Sequence, residues 1–117
     1  MENENNPGQQ PRTLEEAETI VDIFDSLQRL KKNPDFQLVF EKHLFNDEVI
    51  RLNRLLAHPE KSIVDSRDRI IGDLDALSNV QFALQMINAI GSSTKTQLDE
   101  YREAQALDDA EANSEGE

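Results

Sequence analysis

The chain has 117 residues, 24 of them acidic and 12 basic, for a net charge of −12. It contains no Cys and no Trp. Disulfides, thiolate zinc sites and Cys nucleophiles are thereby excluded, and the acidic balance argues against direct nucleic-acid binding, which needs clustered Lys and Arg. Length sets a limit of one domain. A chain this short buries only about 60–65% of its unfolded surface, so it gains from an oligomeric partner. No apolar run approaches the roughly 18 residues of a membrane span, so no membrane partner is expected. Met1-Glu2-Asn3-Glu4 is acidic and polar, unlike a secretion signal. An intracellular, reducing compartment is the expectation.

Residues 1–12 are rich in Asn, Gln and Pro and hold nothing aromatic or β-branched. Such a segment cannot bury enough to order itself and reads as a disordered polar tail. Thr13-Leu14-Glu15-Glu16 is a capping box that opens a helix over about 14–32. Ile20, Ile23, Phe24, Leu27 and Leu30 form its apolar stripe. Lys31 and Lys32 close the last turn, where cations suit the dipole.

Asn33-Pro34 stops that helix and starts another. Phe36, Val39, Phe40 and His43 or Leu44 give a second stripe. Val49, Leu52, Leu55 and Leu56 give a third. Helices are expected at about 34–44 and 47–57, with room for a kink near Phe45–Asn46. His58-Pro59 ends the unit.

Pro59-Glu60-Lys61 opens the longest element, over about 60–107. From Leu77 its apolar residues fit a heptad. Position a reads Leu77, Leu84, Gly91, Leu98, Gln105, and position d reads Val80, Ile87, Thr94, Tyr101. A repeat of 3.5 residues favours a left-handed coiled coil. The seam weakens at Gly91-Ser92-Ser93-Thr94. Either the helix runs through this patch, continuous or gently kinked, or it breaks into 60–90 and 93–107. The first is favoured, because a Gly costs about 1 kcal/mol in a helix interior, little in so long an element. Gly91 reads as a close-approach point between helices in preference to a hinge. Residues 108–117 carry five acids and no base, and read as a disordered acidic tail. The expected fold is therefore all-α, with three to four helices packed on a long, partly coiled-coil-like C-terminal helix. The helical domain spans 13–107.

Nothing in the sequence spells out catalysis. His43 reads as an amphipathic helix-face residue, and His58 as a partner for a helix C-terminus. Asp65, Asp68, Asp73 and Asp75 could pair for acid–base work or hold Mg²⁺. Arg67 and Arg69 interleave them, however, and Asp65–Arg69 is a favourable i, i+4 pair, so a solvated face is the better reading. Ser92, Ser93 and Thr94 are hydroxyls with no base nearby in sequence. No phosphate loop, nucleophile elbow or zinc-binding helix spacing occurs. The expectation is a non-enzyme with no metal and no cofactor.

The long seam is more informative. A helix over 60–107 is about 70 Å long, against about 30 Å for the first helix and 36 Å for the next two. Those cannot cover it all, so Leu98, Tyr101 and Leu107 are expected to be exposed in a monomer. Leu77, Val80, Leu84 and Ile87 are expected core positions. Leu84, Ile87, Leu98 and Tyr101 are the candidate interaction residues, because exposed apolar seams mark partners.

Asn33-Pro34-Asp35-Phe36, then Phe45-Asn46-Asp47-Glu48-Val49-Ile50-Arg51-Leu52, then Leu55-Leu56-Ala57-His58-Pro59 resembles small acidic helical proteins encoded among the virion genes of tailed bacteriophages. The resemblance covers about residues 27–105 and consists of helix-packing patterns. It implies a phage origin and a structural or assembly role, and it carries no catalytic residues. The expected protein partners are the chain itself and a larger virion protein, in the host cytoplasm or associated with the virion. An acidic inhibitor that mimics DNA toward a nucleic-acid-binding host protein is the alternative. A transcriptional regulator fits less well, since no helix-turn-helix with basic recognition residues is visible.

Overall fold

A computed structural model of the chain describes residues 13–58 and 60–115. The expected tail at 1–12 lies outside the described residues. Every element among those described is helical: α1 (Leu14–Lys31), the single turn α2 (Pro34–Phe36), a π-helical segment (Gln37–Asp47), α3 (Glu48–Leu56), α4 (Lys61–Asp65) and α5 (Arg67–Glu115). The protein is all-α, as its sequence periodicities predict. The helices form two compact units. One joins the residues up to Ser26 with those from Ile87 onward, and the other runs from Leu27 to Met86.

In the first unit, α1 runs antiparallel to the C-terminal part of α5. Glu18 pairs with Arg102 at 3.1 Å and Asp25 with Lys95 at 3.0 Å. The Thr13 hydroxyl accepts from the Glu16 amide at 3.0 Å, which is the expected cap. Ala17, Val21 and Leu98 are buried together as the core. The stripe read from the sequence is kept in part: Leu27 is buried and Phe24 lies against Gly91, whereas Ile23 is about half exposed, and the smaller Ala17 and Val21 join the packed face.

α5 is unbroken through Gly91, which packs closely against Phe24 of α1. Gly91 and Thr94 are both buried. A Cβ at Gly91 would stand 2.3 Å from the Cβ of Phe24, so only a hydrogen fits there. The close-approach reading of Gly91 holds.

In the second unit, Asn33 caps α2 by accepting from the Asp35 and Phe36 amides at 2.8 and 3.3 Å, with Pro34 following it. The expected kink near Phe45–Asn46 is replaced by a π-helix over Gln37–Asp47. Runs this long are rare, because the i→i−5 bond geometry is poor. Two i, i+5 features go with it. Phe40 stacks on Phe36 at 4.9 Å between centroids and meets Phe45 at 6.2 Å, and Lys42 reaches Asp47 at 2.8 Å. The wide turn redirects the apolar face. Phe36, Phe40, Leu44, Phe45, Val49 and Leu52 turn inward, and Val39 and His43 turn outward. Of the expected stripe, Phe36, Val39, Phe40 and His43 or Leu44, the structure keeps Phe36, Phe40 and Leu44 and corrects Val39 and His43. Leu27, Phe36, Leu52 and Ile70 are buried among the described residues of this unit.

Three other expectations change. The helix read from Glu60 is interrupted at Ser66, where Ser and Asp favour caps over helix interiors, so α4 and α5 are separate. Val80 is not core but 46% exposed, while Leu77, Leu84 and Ile87 are half-buried. Finally, α5 does not stop near Leu107. It continues to Glu115, and its residues 99–113 are all exposed.

Candidate functional site

Three kinds of site can be built from these elements: a catalytic cluster, a groove and an open helix face. The polar candidates do not converge. His43 is exposed on the π-helix. His58 lies past the end of α3, where its Nδ1 accepts from the Glu60 amide at 3.4 Å. Asp65, Asp68, Asp73 and Asp75 all face solvent. Among the described residues no group of three or more His, Cys, Asp or Glu is placed to hold a metal ion. No described helix is long and apolar enough to cross a membrane.

Two charge pairs in the Leu27–Met86 unit are local. Lys42 hydrogen-bonds to Asp47 and holds its carboxyl below the ordinary 3.8. Arg51 grips both Glu48 oxygens, at 2.6 and 3.0 Å, and holds that carboxyl below 4.5, while its own guanidinium is pushed up in return. These pairs brace the π-helix and its junction with α3.

The groove lies in the first unit. Leu14 and Ala17 of α1 and Thr94, Gln97, Leu98 and Tyr101 of α5 line an open trough of about 280 Å³. Two candidate interaction residues, Leu98 and Tyr101, thus share one feature. Their roles differ. Leu98 is only 5% exposed, packed with Ala17 and Val21, so its expected exposure is corrected. The reason is topological: α1 runs back along the C-terminal part of α5 and covers Leu98. Tyr101 remains half exposed at the rim, and Leu107 stands out in solvent. Leu84 and Ile87 are half-buried.

The face missed by the heptad reading is on α5 in the second unit. Phe82 is the most exposed aromatic there, at 59%; Val80, 46% exposed, lies two residues away on the other side of the helix. No residue from Ala76 to Met86 is buried. The signal that finds this face is absence of charge. The nineteen residues 76–94 contain no Asp, Glu, Lys, Arg or His, in a chain that is 31% charged. A search for apolar positions at a and d passes over it, because Ser78, Asn79, Gln81 and Gln85 interrupt the pattern. No protein-family model matches the chain, and no curated protein or solved structure matches it.

Proposed function

We propose that the chain is a non-enzymatic phage structural or assembly accessory, which oligomerises or docks on larger virion proteins through its helical faces. One observation carries the docking part. Large apolar side chains stand in solvent on helices that are otherwise well formed, among them Phe82, Leu38, Val64 and Tyr101. Faces of this kind mark protein contacts. The virion setting is supported by the resemblance of residues 27–105 to small proteins of phage virion gene clusters. Host cytoplasm and the assembling particle are the corresponding locations. Mass spectrometry of purified virions beside procapsids tests the proposal. Detection at stoichiometric level in either particle supports it. Absence from both, with the chain present in the infected-cell extract, refutes it.

A second reading, an acidic inhibitor of a nucleic-acid-binding host protein, gains from one feature of α5. Residues 99–113 are helical and wholly exposed, with six acids against the single base Arg102. The carboxylates are therefore carried on a regular helix. Salt-dependent capture of one basic host protein, with none of the chain in particles, would favour this reading over assembly.

A further inference from the structure

We infer that the unit built from α1 and the end of α5 docks a basic amphipathic helix of a partner protein, with an apolar anchor in its trough. The inference rests on the reading of the chain as a docking protein, and it names the surface and the partner's chemistry. The net charge is not shared between the two units. Residues 27–86 hold nine acids and nine bases, whereas residues 1–26 and 87–117 hold fifteen acids and three bases. All of the −12 therefore lies in the unit that carries the trough. Lys95 and Arg102, the two bases of that unit among the described residues, are already paired with Asp25 and Glu18. Its other carboxylates outnumber any cation the unit can offer them.

The trough supplies a second, independent observation. Ala17, Thr94 and Leu98 in its lining are buried, while Leu14 and Tyr101 are each about half exposed. Thr94 is only 2% exposed, and its hydroxyl has no hydrogen-bond partner among the described residues. A buried hydroxyl left without a partner is costly, which favours an occupant that brings a polar atom. At about 280 Å³ the trough is smaller than the roughly 300–1,000 Å³ of sites that enclose a small molecule. It suits a large side chain laid in from a helix. Charge selects the bearer of that side chain. A second copy would bring fifteen more acids against this unit, and nucleic acid or an anionic lipid surface is repelled in the same way. A helix with apolar anchors on one face and Lys or Arg beside them meets the trough and the carboxylates together.

The test uses the full purified chain, with a synthetic amphipathic helix of Leu and Lys as the probe. Tyr101 is the only Tyr and the chain has no Trp, so intrinsic fluorescence reads the trough directly. The Leu/Lys probe should bind saturably and shift the Tyr101 emission. A Ser/Lys peptide of equal length and charge should bind at least about 10-fold more weakly, because it has no apolar side chain to bury. A Leu/Glu peptide should not bind. Anisotropy of a labelled Leu/Lys probe should show Tyr101→Ala and Leu14→Ala each weakening binding by about 5–10-fold, with helical circular dichroism unchanged. Leu38→Ala, which truncates an exposed leucine of the other unit, should bind like wild type. Thr94→Val should raise the melting midpoint, because it removes the unpartnered hydroxyl. A fall in that midpoint shows that the chain satisfies the hydroxyl itself and overturns the case for an occupant. Equal affinity for the Leu/Lys and Ser/Lys peptides overturns the trough, since charge alone then accounts for the contact. Equal affinity for the Leu/Lys and Leu/Glu peptides overturns the basic partner. A Leu/Lys probe that does not bind overturns the whole inference, as do Tyr101→Ala and Leu14→Ala variants that bind like wild type. None of these measurements involves virions, so the docking chemistry and the assembly role fail separately.

Discussion

The two units of this protein solve the same problem in opposite ways. In the unit that joins α1 to the end of α5, cohesion comes from residues distant in sequence. Phe24 lies on Gly91, Ala17 and Val21 on Leu98, and two ion pairs cross between the helices. In the Leu27–Met86 unit several of the polar and aromatic contacts are local, although Arg67 of α5 also donates to the Leu56 carbonyl at 3.1 Å. Lys42–Asp47, Arg51–Glu48 and the Phe36–Phe40–Phe45 row all sit within one helical stretch. The first unit packs by close approach of backbones at Gly91. Both units have buried apolar residues, and both leave large apolar side chains in water, Tyr101 and Leu107 in the first and Leu38, Val64 and Phe82 in the second.

The greatest damage should come from filling the space at Gly91. Its hypothetical Cβ meets the Phe24 Cβ, which sits next to the backbone and cannot swing aside. The helices would have to part. Gly91→Ala gains up to about 1 kcal/mol of helix propensity but pays overpacking of about 1–3 kcal/mol, a net loss. Gly91→Leu should cost at least about 3 kcal/mol. Urea unfolding measures both. Phe24→Ala should not recover the Gly91→Ala loss, because alanine keeps the Cβ that the new methyl meets. If Gly91→Ala is stabilising in the wild-type background, the close contact is not present in solution.

Next in size are truncations of the cores. Leu98→Ala and Leu52→Ala remove side chains that are 5% and 3% exposed, and each should cost about 2–5 kcal/mol. Tyr101→Ala removes a ring already half in water and should cost less than about 1 kcal/mol. Chemical denaturation of the three variants sharpens the contrast between a buried seam position and its rim. Equal losses at Leu98 and Tyr101 would mean that Tyr101 is covered as well.

These effects show what could be read beforehand. The all-helical class, the Thr13 and Asn33 caps and the α3 face of Val49, Leu52, Leu55 and Leu56 follow from local rules, and the structure keeps them. The π-helix was hidden because the spacing of Phe36, Phe40 and Leu44 also fits an α-helix, and only Phe45 and the Lys42–Asp47 pair distinguish the wider turn. The burial of Leu98 was hidden because helix length says how far α1 reaches but not where along α5 it starts. Gly91 and Thr94 look like a weak seam when scored by hydrophobicity, yet smallness is what lets the helices touch. The open face at Phe82 was legible, in the charges that are missing.

A subtler probe addresses the local pairs of the second unit. The Asp47 and Glu48 carboxyls lie below 3.8 and 4.5 because Lys42 and Arg51 hydrogen-bond to their charged forms. Depressed carboxylates stabilise the fold above their unfolded values and lose that contribution as pH falls through the folded ones. This support is therefore complete at neutral pH and is withdrawn only below about pH 4.5. A carboxyl-carbon NMR titration should place both midpoints below the ordinary values. Lys42→Ala should return Asp47 toward 3.8 and leave Glu48 nearly unmoved, since Arg51 is the main cause there. A wild-type Asp47 that titrates at 3.8 or above would remove the i, i+5 pair from the account.

The smallest effect on stability is expected at the end of α5, where neither unit has a core to lose. Residues 99–113 are all exposed, so the helix there rests on propensity and on the packed turns that precede it. Its acids also stand in the wrong place for the dipole. Asp108, Asp109 and Glu111 lie near the C-terminal end, where negative charge is unfavourable by a few tenths of a kcal/mol each. Removing residues 108–117 should therefore lower the helical ellipticity, by the loss of Asp108–Glu115, without lowering the melting midpoint. The sign of any midpoint change should be upward, because five acids leave a chain whose net charge is already −12. A scan by circular dichroism reads both quantities from one sample. A fall in the midpoint of more than about 5 °C, roughly 1 kcal/mol for a domain of this size, would show that this extension is held against something. Unchanged ellipticity would show that the last two turns are not helical in solution.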